Sequence, residues 1–232
     1  MIAKVVQFNN IGSVTLRKNR RSKNIKISVK PDKSVHVSFP FFVSPREVTS
    51  FVVKNEQWIL SQKQKFELRK PFFGEETKLK TKFYKVSFVR SEADSGQRVG
   101  NHITLKIADF KSETSNRFIE NTLVSIYRYE AKKLLPVRLK ELAELYHFQY
   151  NKITIRNNKR NWGSCSSKNN ISLNLQMMKL PDELIDYILL HELVHTEIKN
   201  HGPGFWEKLN LVTNNRAKEL AKQVRKYSTY TL

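Results

Sequence analysis

Three histidines and one glutamate stand within eleven positions of this chain, as His191-Glu192-Leu193-Val194-His195 followed by His201. If the run is helical, His191 and His195 stack on one face, where both imidazoles can reach one metal ion while Glu192 lies beside a coordination position left open. Zinc suits this donor set. Three protein ligands and an open position make a catalytic site, in which the pKa of a water falls to about 7 and a neighbouring carboxylate can pass its proton to a leaving amine. Hydrolysis of a peptide bond is the chemistry expected.

The element that must position these groups reads as a buried helix. Pro181-Asp182-Glu183 has the form of a helix start with acids in the first turn, and Leu184, Ile185, Ile188, Leu189, Leu190, Leu193, Val194 and Ile198 make the helix apolar nearly all round. Histidines and a glutamate in such a helix carry desolvation costs that a shared metal offsets; the competing reading is a pair of structural core histidines. His201 lies about 240° round from His195 on a continuing helix, so the chain must turn before it can join the same ion. Asn200, Gly202, Pro203 and Gly204 supply the break, with Gly202 suited to a left-handed helix end and Pro203 unable to extend the helix. Ile198 stands where the metzincin pattern has a glycine, which argues for a longer active-site helix. Glu207 and Glu219 are the competing third ligands. Cys165, the single cysteine, reads as a packing residue rather than a nucleophile or fourth ligand.

Around this helix, residues 3 to 8, 12 to 18, 24 to 30 and 34 to 39 alternate in the period-two manner of strands, with Lys30-Pro31-Asp32-Lys33 as a turn, which predicts a small antiparallel sheet. Pro45 to Lys70 predicts one helix with Phe51, Val52, Trp58 and Ile59 inward. Strand character returns at 77 to 90 and 102 to 107, separated by a polar loop from Glu92 to Gly100. Glu113 to Tyr146 is helical, with Pro136 kinking it or starting a second helix. Strands at 152 to 156 and 171 to 175 flank Asn157 to Asn170, and a last helix runs from about Pro203 to Lys226. No internal repeat is visible in the sequence. The fold class expected is α+β, with a β-rich basic N-terminal subdomain over residues 1 to 110 and an α+β core over 111 to 232.

Asn161-Trp162-Gly163-Ser164-Cys165-Ser166-Ser167, Ile171-Ser172-Leu173-Asn174-Leu175, His191-Glu192-Leu193-Val194-His195, Asn200-His201-Gly202-Pro203 and Phe205-Trp206 follow one another in an order that resembles the YgjP-like metallopeptidase family. The likeness reaches the front of the chain at Arg20, Arg21 and Lys23 and at Trp58-Ile59, and is most specific over residues 152 to 206. It implies a zincin-like core similar to that of the SprT-like proteases, with the active-site helix and a later histidine binding zinc. Asn161 departs from the family, which usually has arginine there. In many zincins an edge strand beside the metal helix pairs with the extended substrate, so the strand at 171 to 175 is expected to hold the peptide, with Ser172 or Asn174 adding a polar contact. Trp162 and Trp206 read as core aromatics, and Tyr187 packs under the site one turn before His191.

Charge is the second strong signal. The 232 residues carry 42 Lys and Arg against 21 Asp and Glu, a net +21, and the first fifty hold ten bases and two acids. Such an excess attracts polyanions, and bases interleave with aromatics at Arg69-Lys70-Pro71-Phe72-Phe73 and Lys80-Thr81-Lys82-Phe83-Tyr84-Lys85. Arg20, Arg21 and Lys23 are the candidate nucleic-acid contacts; a lysine-rich coat serving only solubility is the plainer explanation. No apolar run is long enough to span a membrane, no secretory signal opens the chain, and one cysteine forms no internal disulfide, so a cytoplasmic location is expected. Two readings compete: a zinc-dependent endopeptidase acting on proteins, with proteins on or crosslinked to DNA as one substrate class and the basic front as the anchor, or a nucleic-acid-binding module whose metal site is structural or vestigial.

Overall fold

A computed structural model of the chain describes residues 4–30, 33–68 and 73–230. Pro31-Asp32 of the expected turn and Arg69 to Phe72 of the first basic-aromatic stretch lie outside them. The chain forms two compact units divided between residues 72 and 73, upstream of the 110/111 boundary expected from sequence. The architecture is mixed α and β, as the periodicities predict.

The first unit is one sheet and two helices. Strands β1 (Lys4–Phe8), β2 (Gly12–Lys18), β3 (Lys26–Val29) and β4 (Val35–Phe39) lie in the order β1-β2-β4-β3. The sheet is mixed and not antiparallel throughout: β2 runs parallel to β4, with Leu16 opposite Val37, because the chain crosses to the far edge to build β3 before returning. Alternation sends Val14, Leu16, Val35, Val37 and Phe39 to one face. There they pack with Val48 and Val52 of helix α1 (Pro45–Lys54) and Ile59 of helix α2 (Glu56–Leu68). Ser44 starts α1 with a capping box, accepting from Glu47 N at 3.2 Å while Glu47 Oε2 accepts from Ser44 N at 2.8 Å. The single helix expected over 45 to 70 is two, separated at Asn55, whose amide caps α1. Trp58, expected inward, is 46% exposed; the break at Asn55 resets the helical phase, and Ile59 takes the buried position.

The second unit repeats that topology. Strands β5 (Lys78–Lys80), β6 (Lys85–Arg90), β7 (Ser95–Val99) and β8 (His102–Ile107) form a sheet in the order β5-β6-β8-β7, again with only its central pair parallel. In each unit a short link, residues 40–44 or 108–112, leads from the last strand to a helix capped by serine, Ser44 or Ser112. The repeat is one of strand order, which side-chain identities do not display. β7 occupies the stretch read as a loop, because every one of its side chains is exposed and no alternation marks it.

Helix α3 (Glu113–Leu145) runs through Pro136 without interruption. Its buried stripe, from Ile119 through Leu123, Tyr127, Ala131, Leu135 and Leu139 to Leu142, keeps the 3.6-residue period on both sides of the proline, and that packing outweighs one lost backbone hydrogen bond. A three-stranded sheet follows, with β11 (Ile171–Asn174) between β9 (Ile153–Arg156), its parallel neighbour, and β10 (Gly163–Cys165), its antiparallel one. A 3-10 turn (Leu175–Lys179) leads into α4 (Asp182–Glu197), and α5 (Pro203–Val212) and α6 (Ala217–Val224) complete the unit. The last helix expected over 203 to 226 is broken where Asn214 and Asn215 take positive φ, a conformation asparagine tolerates.

Candidate metal centre

Helix α4 carries the site, and burial holds it in place. Leu184, Ile188, Leu189, Leu193 and Val194 are all below 5% exposed. Three cations reach its N-terminal half from other elements: Lys82 Nζ to Asp182 at 2.5 Å, Arg216 to Glu183, and Arg138 to both oxygens of Asp186 at 2.8 Å. Solvent-screened pairs of this kind are weak beside the about 1.5–3 kcal/mol contributed by each buried leucine or isoleucine, so the apolar packing decides the position and the pairs orient it.

The helix ends at Glu197, before the Asn200 to Gly204 break expected for it. Ile198 turns extended at φ −122° and ψ 105°, and its carbonyl accepts a hydrogen bond at 2.9 Å from Nδ1 of His195. Gly202 is not left-handed: at φ −70° it precedes Pro203 as the residue that starts α5. The early turn swings His201 back across the helix. Its Nε2 lies 3.1 Å from Nε2 of His195 and 3.1 Å from Nε2 of His191. Three nitrogens bound at about 2.0–2.1 Å in tetrahedral angles stand roughly 3.3 Å apart, so the spacing fits one ion.

The donor chemistry fits too. A carbonyl can only accept, so Nδ1 of His195 holds the proton and its Nε2 lone pair faces the centre. Burial, and then the neighbouring His195 and His201, push the pKa of His191 down to about 3; burial lowers that of His195. Imidazoles held neutral are the form that binds a metal. His195 is buried and His201 exposed, so the centre opens to solvent on the His201 side. Among the described residues, the side chains that could hold an ion together are these three histidines. Of the competing carboxylates, Glu219 is engaged by Arg216 and Gln223, and Glu207 is not in the cluster.

Glu192 lies at the wall of the site, 5% exposed, and its Oε2 is buried without a hydrogen-bond partner among the described residues. Burial raises its pKa to about 8. Strand β10 packs against α4 at this point, and Gly163 is what lets it approach. A Cβ built there would fall 2.6 Å from Oε1 of Glu192 and 2.7 Å from its Cγ. Asparagines hold β10 in that position: Asn174, 1% exposed, donates to the carbonyls of Asn158 and Asn161 at 2.5 and 2.9 Å, and Asn161 donates to the carbonyl of Gly163 at 2.7 Å. Phe205, fully buried, forms the apolar floor, its ring centroid 4.5 to 4.9 Å from those of all three histidines. Tyr187, 5% exposed, packs 6.1 Å from His191, as expected.

The structure corrects two expectations about substrate contacts. β11 is the central strand, paired on both sides, so Ser172 faces Ser164 and Thr154 across its two ladders and the strand offers no free edge to a peptide. Asn174 is occupied with the loop that leads to β10. The strand at the sheet edge beside α4 is β10, too short to show a period. In the second basic-aromatic stretch, Lys82 is committed to Asp182 and to the carbonyl of Leu180, and Phe83 and Tyr84 pack on Tyr129. Arg20, Arg21 and Lys23 are exposed in the first unit. Gly163, Phe205 and the Ile198 carbonyl carry roles that no spacing rule assigns.

A family model described as YgjP-like, metallopeptidase domain, matches residues 23–227 of the chain. Among solved structures, the metallopeptidase zymogen of Pyrococcus abyssi abylysin is 24% identical with a TM-score of 0.37, the match covering 40% of this chain and 93% of that one. The metallopeptidase zymogen of Methanocaldococcus jannaschii jannalysin is 27% identical with a TM-score of 0.35, covering 39% of this chain and 93% of that one. No curated protein matches the chain.

Proposed function

The chain belongs to the YgjP-like metallopeptidase family and is a metal-dependent peptidase, and from that premise we propose a zinc-dependent endopeptidase that works on proteins associated with nucleic acid. The observation that carries zinc is the convergence of three imidazoles, with Nε2 of His201 3.1 Å from Nε2 of both His191 and His195 and all three donor atoms within 4.8 Å of one another, on a side open to solvent. Bound there, zinc supplies Lewis acidity and lowers the pKa of a water to about 7.

The chain's own groups supply the rest. Glu192 is the general base: its buried Oε2 is an acceptor that no protein donor among the described residues occupies, and a carboxylate raised in proton affinity by burial is suited, once ionised beside the metal, to take a proton and pass it to the leaving amine. β10 is the strand along which the peptide lies, since it stands at the sheet edge against the helix that carries Glu192. The net charge of +21 supports the nucleic-acid part of the reading. No helix among the described residues is long and apolar enough to cross a membrane, and with Cys165 free a reducing cytoplasm is the compartment proposed.

Metal analysis and a protease assay on one set of variants test this. The wild type should hold about one zinc per chain, His201→Ala should lose it, and Glu192→Gln should keep it while losing roughly a hundredfold or more in rate. Stoichiometric zinc in His201→Ala would return the third ligand to Glu207 or Glu219. Unchanged hydrolysis by Glu192→Gln would remove that residue from the mechanism.

A further inference from the structure

The parallel pairing of β2 with β4 has a consequence at one end of the first sheet. Both strands finish there, so the loop after β2, residues 19–25, and the link after β4, residues 40–44, lie side by side, joined by Asn19 N donating to the carbonyl of Phe39 at 2.8 Å. The first loop carries Arg20, Arg21 and Lys23, all exposed, beside Lys18 at the end of β2. The second carries Phe41 and Phe42, 45% and 82% exposed. Phe41 is used by the protein itself: Lys18 Nζ and the Arg20 guanidinium lie 5.7 and 5.5 Å from its ring centre, which fixes where those two charges stand. Phe42, next in the chain, is left as a nearly bare ring on the link that runs beside the cationic loop.

We propose that the paired loops 19–25 and 40–44 form a binding platform for single-stranded nucleic acid, with Phe42 stacking on a base and Lys18, Arg20, Arg21 and Lys23 contacting the flanking phosphates. This rests on the nucleic-acid part of the reading above and narrows it to one surface and one form of ligand. A duplex keeps its bases stacked inside and offers only phosphates to such a surface, whereas a single strand offers faces for a ring as well. Of the acids of this unit whose side chains are described, Glu56 is engaged with Asn10, and Glu47 accepts from the Ser44 backbone at the helix end of the second link, inside the capping box. Charge and ring therefore address the same ligand. An anionic membrane is the other surface that cations beside exposed rings could meet; two rings on a short link, one of them covered by Lys18 and Arg20, lack the continuous apolar face that insertion between lipids uses.

The test is fluorescence anisotropy of the full-length protein with a labelled thirty-residue oligothymidine and with a duplex of equal length, alongside sedimentation with phosphatidylcholine and phosphatidylserine vesicles. The wild type should prefer the single strand. Phe42→Ala should weaken single-strand binding about tenfold and leave duplex binding unchanged, Phe42→Trp should restore it, and Arg20→Glu with Arg21→Glu should weaken both. Binding of both ligands that responds to the arginines and ignores Phe42 overturns the platform while leaving nucleic-acid association standing. No binding of either at about 50 mM salt overturns both, and vesicle binding lost in Phe42→Ala without nucleic-acid binding reassigns the surface to a membrane. Circular dichroism melts that match the wild type separate these outcomes from misfolding.

Discussion

The absence of a side chain at position 163 decides where the Glu192 carboxylate can stand. Gly163 does not have positive φ, so alanine fits its backbone, and the substitution tests the close approach alone. A Cβ 2.6 Å from Oε1 forces the carboxylate to move by about an ångström, a displacement that costs on the order of a hundredfold when a proton must be transferred in fixed geometry. Gly163→Ala should therefore keep its metal and lose kcat ten- to a hundredfold with KM little changed. A merely structural glycine would lower the melting temperature and leave the turnover of the folded fraction intact, and that result would reject the positioning role. The motif was visible in the sequence as Trp-Gly-Ser-Cys, yet its glycine could not be assigned, because the contact that requires it lies across 29 residues of chain and through space.

At the scale of elements, legibility followed length and burial. The metal helix was readable because sixteen residues follow a proline, with acids in the first turn and apolar residues nearly all round. The strands of the first sheet were readable because their inward residues alternate. Their pairing was not, since the order of strands depends on a crossover that leaves no mark on alternation. β10 spans three residues and β7 is exposed throughout, so neither has a period to find. The chain end shows another kind of invisibility. Lys179, in the 3-10 turn before α4, donates to the carbonyls of Ser228, at 2.9 Å, and Tyr230, and Thr229 donates to the carbonyl of Lys159 at 2.9 Å, so the last described residues are tied to the loop region that leads to β10. Burial lowers the Lys179 pKa to about 8. Below pH 8 both folded and unfolded chains hold this proton and the cost of the buried charge is fully present. Between about 8 and the unfolded value of 10.5 the unfolded chain binds more protons, so the contribution to stability rises with pH. Urea melts of wild type and Lys179→Met should shift in favour of the wild type by on the order of 2 kcal/mol between pH 7 and pH 10. A difference that stays constant over that range would show the amine to be solvated in the folded state.

For the whole molecule, chemistry and charge are distributed unequally between the two units. Every residue of the metal centre, with the helix, strand and floor that position it, belongs to the second unit, and so do its buried α3 stripe and its own four-stranded sheet. Residues 1–72 hold fifteen bases against four acids, a net +11 of the total +21 in less than a third of the chain. A unit with its own core folds independently as a general expectation, which makes the division testable by cutting at residue 73. The fragment from Phe73 onward should fold cooperatively, retain about one metal per chain, and hydrolyse a short unstructured peptide at a rate within a few fold of the whole protein, because none of the groups that handle the peptide bond has been removed. Its affinity for nucleic acid should fall, and the slope of log affinity against log salt should become shallower by about 0.7 to 0.9 for each phosphate that the first unit neutralises in the whole protein. A protein substrate presented on a single strand should then be cleaved by the fragment no faster than the same substrate free in solution. Equal enhancement by nucleic acid in fragment and whole protein would place the polyanion-binding surface on the peptidase unit itself.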